Sequence, residues 1–159
     1  MYNIGDKVLY PTHGAGIIDA IEEKNVLGQK HFYYTMRMPV GDMKVMIPVD
    51  NSEATGLRKV VPKNEALKVL EFLKTDEEEE NLSWNRRYRE NLDKIKSGDV
   101  FSVATVVKML MKRDRAKGLS TGERKMLSDS KHILISELVL SLDSSKEEVS
   151  AEIEKCIFG

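Results

Sequence analysis

Leu57-Arg58-Lys59-Val60-Val61-Pro62-Lys63-Asn64-Glu65-Ala66-Leu67-Lys68-Val69-Leu70 is where the chain changes grammar. Upstream of Val61-Pro62, short β-branched and aromatic runs are broken by glycine; downstream, the apolar residues recur with helical period to the end. A proline placed at the first helical position has the right fixed φ and lacks only an N–H that the helix would leave unbonded. The boundary predicts two domains, residues 1–60 and residues 61–159.

Working back from the boundary, five candidate strands are Lys7 to Tyr10, Ala15 to Ile21, Lys30 to Met38, Met43 to Ile47 and Leu57 to Val60. Pro11-Thr12-His13-Gly14, Asn25 to Gly28 and Gly41-Asp42 supply the residues that tight reversals require. Five short strands with tight turns predict a small barrel with one open edge, a surface on which another protein's strand can add. In the third strand Phe32, Tyr34, Met36 and Met38 alternate with His31, Tyr33, Thr35 and Arg37, so the first set is expected to share one face.

Working forward, the period predicts a first helix over 61–75 with Leu67, Leu70, Phe72 and Leu73 on its apolar side. The acid run Asp76 to Glu80 reads as a solvated connector, and Glu77 to Glu80 is the one low-complexity stretch. Ser83 is placed to cap a second helix ending at Gly98, and Asp99 a third ending at Gly118. Ser120-Thr121-Gly122-Glu123 and Ser145-Lys146-Glu147-Glu148 are capping-box patterns opening a fourth and a fifth. Val103, Val106, Val107 and Leu110, then Leu127, Leu134 and Leu138, have the spacing of core-facing stripes. The fold class is therefore α+β, a small β-barrel followed by an all-α bundle of about five helices.

The 159 residues carry a formal charge of −1, which conceals a strong asymmetry. Residues 84–131 hold 13 basic and 6 acidic groups, whereas the flanking stretches 62–83 and 132–159 are each net acidic. A basic middle on an otherwise neutral molecule suits one polyanion-binding face. With 41% hydrophobic residues the chain is expected to fold. The lone Cys156, the lack of a leader pattern and the lack of an apolar run of roughly 18 residues predict a cytoplasmic protein without disulfides or membrane spans.

Trp84 stands at the head of the basic middle, in Asn81-Leu82-Ser83-Trp84-Asn85-Arg86-Arg87-Tyr88-Arg89. Two readings compete. Trp84, Tyr88, Leu92 and Ile95 lie on one helical face and form a candidate core stripe. Yet a first-turn side chain often overhangs its bundle, and Arg86, Arg87 and Arg89 surround it with planar donors suited to phosphate. A flat wedge among phosphate-gripping arginines is the arrangement that unstacks a base step from the minor groove. Lys108, Lys112, Arg113, Arg115, Lys117, Arg124 and Lys125 form a second basic cluster across the Gly118 turn, of a composition that grips backbone without reading sequence.

Catalysis has no support: there is no glycine-rich phosphate loop, no His-Glu-x-x-His and no nucleophile elbow. His13 in its turn has no identifiable acid or nucleophile partner, and His13, His31, His132 and Cys156 have no metal-ligand spacing. No cofactor, metal or small-molecule substrate is expected.

Gly5-Asp6-Lys7-Val8-Leu9-Tyr10-Pro11-Thr12-His13-Gly14, Gly41-Asp42 before a strand ending Ile47-Pro48, Ser83-Trp84-Asn85-Arg86-Arg87-Tyr88, Ser97-Gly98-Asp99, Gly118-Leu119-Ser120 and Glu123-Arg124-Lys125-Met126-Leu127 resemble the CarD/CdnL family of bacterial transcription regulators. The first module alone also resembles the polymerase-binding domain of transcription-repair coupling factors; the Trp84 helix and its bundle decide for the former. The resemblance implies a Tudor-like (SH3-like) barrel docking on the RNA polymerase β subunit and a helical domain meeting promoter DNA at the upstream edge of the transcription bubble. By the same resemblance Trp84 matches the wedge, and Arg87, Arg89, Arg113 and Arg124, with Lys125, match DNA-facing positions. Lys24 stands where a polymerase-contacting arginine is common, and Met46 where another is, which removes a charge and shifts attention to Lys44. The expected action is to stabilise the promoter open complex, with Trp84 replacing stacking lost on melting. A rival from another class is an adaptor joining polymerase to a second protein with Trp84 buried; a stand-alone sequence-specific repressor ranks last, since no base-reading helix is evident.

Overall fold

The computed structural model describes residues 1–76 and 82–159. The acid run from Glu77 to Glu80, read above as a connector, lies outside the described residues, as does Asn81.

Strands β1 (Lys7–Tyr10), β2 (Gly14–Val26), β3 (Gln29–Arg37), β4 (Lys44–Pro48) and β5 (Arg58–Lys59) form one antiparallel sheet in the order β4-β3-β2-β1-β5. β4 and β5 are its two edges. β2 is longer than the run Ala15 to Ile21 predicted, because its polar outer half is held by pairing: Glu22 lies opposite Tyr33 and Lys24 opposite His31. A register shift between Ile18 and Ala20 bends it there, as an extra residue in one strand does. The hairpin turns on Leu27-Gly28, both at positive φ, as a two-residue turn matched to strand twist requires.

At its β1–β2 end the sheet buries both faces. Val8, Ile18, Tyr34, Met36, Met38, Ile47 and Leu57 make a core of their own inside its curl. Leu9 and Ala15, neighbours across β1 and β2, point the other way into the helices. The alternation expected for β3 therefore holds for Tyr34, Met36 and Met38, whereas Phe32 stays exposed because the hairpin has by then run past its core.

The helices are α1 (Lys63–Leu73), α2 (Trp84–Lys96), α3 (Val100–Lys117), α4 (Thr121–Leu142) and α5 (Lys146–Phe158). Pro62 sits at the N-cap of α1, one residue before the predicted N1 position. α1 buries Ala66, Val69, Leu70 and Leu73, while Leu67 is turned to solvent. Ser83, Asp99, Ser120 and Ser145 each accept a hydrogen bond from the backbone N–H three residues on, so all four expected caps close their helices. Val103, Val106, Val107, Leu110, Leu134 and Leu138 are core residues, with Leu127 at its margin.

α4 lies across β2 and joins the two halves. The Ala15 N–H donates to Ser136 Oγ at 2.8 Å, and a side chain on Gly14 would meet that same oxygen at 2.9 Å. Arg58 donates two hydrogen bonds, 2.7 and 2.8 Å, to the buried Glu137 carboxylate and two more to Gly98 O. Glu137 also accepts from Val61 N at 3.0 Å, so its oxygens are satisfied on both sides. Lys7 Nζ donates to Leu140 O, and Ser141 donates to Val61 O. Pro11 packs against Gly98, where a Cβ would lie 2.8 Å from its ring.

Candidate nucleic-acid interface

Trp84 is 43% exposed at the first turn of α2. Its ring stacks on Tyr88 one turn further on, with centroids 5.0 Å apart and planes 17° from parallel. Its Nε1–H donates to Ser120 Oγ at 3.1 Å, the same oxygen that caps α4. Gly122 lies under both rings. The stripe Trp84, Tyr88, Leu92, Ile95 thus grades from exposed through half-buried to core, so each competing reading describes one end of it. The indole is held on one side and open on the other.

Arg87 is only 7% exposed and turned inward, which corrects its expected place facing DNA. Its Nε donates to Glu123 Oε2 at 3.0 Å and its Nη1 to Leu82 O at 3.3 Å. Ser120 donates to the other Glu123 oxygen at 3.2 Å. Burial pushes the Glu123 carboxyl up, but the Arg87 hydrogen bond and charge and the Ser120 bonds outweigh it and hold it below its ordinary range. The capping-box pattern marked Glu123 for its own helix; its main partner is 36 residues away, a distance no local pattern reveals. Ser120, Glu123, Arg87 and Tyr88 together hold Trp84, and sequence reasoning assigned none of the four to that task.

The cations exposed on the first turns of α2 and α4 are Arg86, Arg89, Arg124 and Lys125. Arg86 pairs with Glu90 at 3.1 Å and Lys125 with Asp129 at 3.1 Å, both exposed i,i+4 pairs that phosphate can replace at little cost. Arg113 is half-buried on α3. The second basic cluster is not one patch. Lys108 is 2% exposed and donates to Phe72 O and Thr75 Oγ1 with its ammonium 4.7 Å from the Phe72 ring. Lys112 pairs with Asp76, and the Arg115 guanidinium lies 3.4 Å over the Phe158 ring. An amphipathic stem lets lysine and arginine serve as packing, which counting charges along a segment overlooks.

On the sheet, Lys44 is opposite Arg37, Met46 opposite Thr35, and Lys24 opposite His31, so all three named residues share the face away from Tyr34 and Met36. Lys24 Nζ lies 3.3 Å from Met46 Sδ, and Lys44 Nζ lies 3.8 Å from Asp19. Met46 and Lys44 belong to the edge strand β4. Among the described residues there is no cluster of three metal-ligating side chains, and no helix is long and apolar enough to cross a membrane.

Two family models match the chain: "CarD-like/TRCF RID domain" over residues 2–61 and "CarD, C-terminal domain" over residues 68–154. "Putative transcription factor YdeB" of Bacillus subtilis (strain 168) is 38% identical over 151 residues, covering 95% of this chain and 99% of that protein. The solution NMR structure of the 72-residue N-terminal domain of Myxococcus xanthus CarD is 39% identical, covering 37% of this chain and 79% of that one, with a TM-score of 0.33.

Proposed function

The chain belongs to the CarD family, and from that premise we propose that it is a transcription regulator, not an enzyme, that docks on RNA polymerase through its sheet and steadies melted promoter DNA through its helices. The observation that carries the DNA half of this reading is the state of Trp84: a ring braced from below by Tyr88 and Ser120 yet open above, at the junction of two helix starts. A wedge must be rigid, because ordering a loose side chain on insertion costs free energy that stacking then has to offset. Arg86, Arg89, Arg124 and Lys125, exposed on the same two helix starts, would take phosphate on either side of the opened step. Unstacking one step costs a few kcal/mol, which the indole face partly replaces.

The polymerase half places the β subunit at edge strand β4, with Lys24, Lys44 and Met46 on the adjoining face. Met46 beside Lys24 makes that contact more apolar than a pair of arginines would, so affinity there is expected to depend less on salt. Docking raises the local DNA concentration to roughly millimolar, so a weak, sequence-tolerant contact suffices.

The test is the lifetime of open complexes of the cognate polymerase on an unstable promoter, with wild type, Trp84→Ala, or no factor. Wild type should lengthen it and Trp84→Ala, still bound to polymerase, should not. Equal lifetimes for the two proteins would leave the adaptor reading, in which the helices bind a second protein.

A further inference from the structure

Beyond Arg124, the outward face of α4 carries Ser128, Lys131 and His132 in helical succession and ends against the start of α5. Between the two helices and Val40 of the β3–β4 loop lies a cleft of about 460 Å³, lined by Arg124, Lys131, His132 and Lys146, by the hydroxyls of Ser128 and Ser150, and by an apolar floor. No carboxylate lines it. Lys131 and Lys146 make no ion pair among the described residues, unlike Lys112, Lys125 and Arg86. A concave surface walled by cations, with no carboxylate in its lining, focuses potential and selects a polyanion.

Resting on the DNA reading above, we propose that this cleft is a second phosphate track, which carries the duplex backbone from Arg124 along α4 to the N-terminus of α5. Arg124 lines the cleft and lies one helical turn after Ser120, which holds the Trp84 indole, so the start of α4 connects the two. From Arg124 to Lys131 is two helical turns, about 10 Å, which matches about three nucleotides of axial rise along one strand. Arginine and lysines at irregular spacing neutralise backbone without reading bases, so the track adds grip and direction rather than sequence preference. It turns the duplex toward Val40 of the β3–β4 loop.

Hydroxyl-radical footprints of polymerase–promoter open complexes, made with wild type and with Lys131→Gln/Lys146→Gln, test this. Wild type should protect about three backbone positions beyond those next to the tryptophan. The double variant should lose these and keep the nearer ones, and its salt slope for DNA should fall by about 1.8. Both substitutions are on the surface, and unchanged Trp84 emission verifies the fold. Identical footprints from the two proteins overturn the track while leaving the wedge intact. Weakened binding to polymerase in the absence of promoter would assign the cleft to an acidic protein segment and also overturn it. A wild-type complex with no upstream protection at all removes the DNA reading itself.

Discussion

Arg87 and Arg89 are two residues apart and look alike in sequence, yet one is a buried brace and the other is exposed. What separates them is Glu123, brought in by α4 from 36 positions away, and only the tertiary fold shows it. The two arginines should therefore behave oppositely. Arg87→Ala strands a buried carboxylate and is expected to cost about 3 kcal/mol in urea unfolding. Arg89→Ala should cost less than about 0.5 kcal/mol and instead weaken DNA contact. Because the folded-state Glu123 lies below its ordinary range, its contribution is complete above the unfolded value of about 4.3 and disappears as pH falls through the folded one. The acid limb of a stability–pH curve should accordingly be shallower in Glu123→Gln. Ser120→Ala removes a helix cap, expected to cost about 1 kcal/mol, and also releases the indole. Acrylamide should then quench Trp84 faster in the free variant than in wild type, a change that loss of a cap alone does not produce.

At the scale of elements, caps and turns were the legible part. Ser83, Asp99, Ser120 and Ser145 announce helix starts through chemistry that is complete within four residues, and all four helices begin where these say. The outer half of β2 was not legible, because Glu22, Glu23, Lys24 and Asn25 have no strand character and are held by β3. Nor was the packing of α4 on β2, since neither Ser136 nor Glu137 carries a local mark of its partner. Glu137 is 1% exposed and serves Arg58 and Val61 together, so Glu137→Ala should destabilise by about 3 kcal/mol. Its signature should also be qualitative. Wild type is expected to melt in one calorimetric transition, and the variant in a broadened or split one as sheet and bundle separate.

Over the whole molecule, the basic middle read from composition is real but divided: Lys108, Lys112 and Arg115 are spent on packing and pairing, leaving a compact outward set near Trp84. Four phosphates at Arg86, Arg89, Arg124 and Lys125 would give a logarithmic salt slope near −3.6, and about −5.4 if the α4 track adds two. Lys112→Gln should leave that slope unchanged, whereas Arg124→Gln should lower its magnitude by about 0.9. The seat of Pro11 and Arg58 on Gly98 has its own consequence at this scale. Gly98 closes the far end of α2, whose first residue is Trp84, so the helix stands between sheet and indole as a strut about 20 Å long. On the proposed reading the molecule would act as a gauge block: with one end on polymerase, the other would mark a set distance, and the base step it reached would be chosen by length rather than by letters. Four residues inserted in α2 would turn its Trp84 end by only about 40° and lengthen the gauge by about 6 Å, nearly two base steps. Such a protein should still bind polymerase and no longer prolong open complexes.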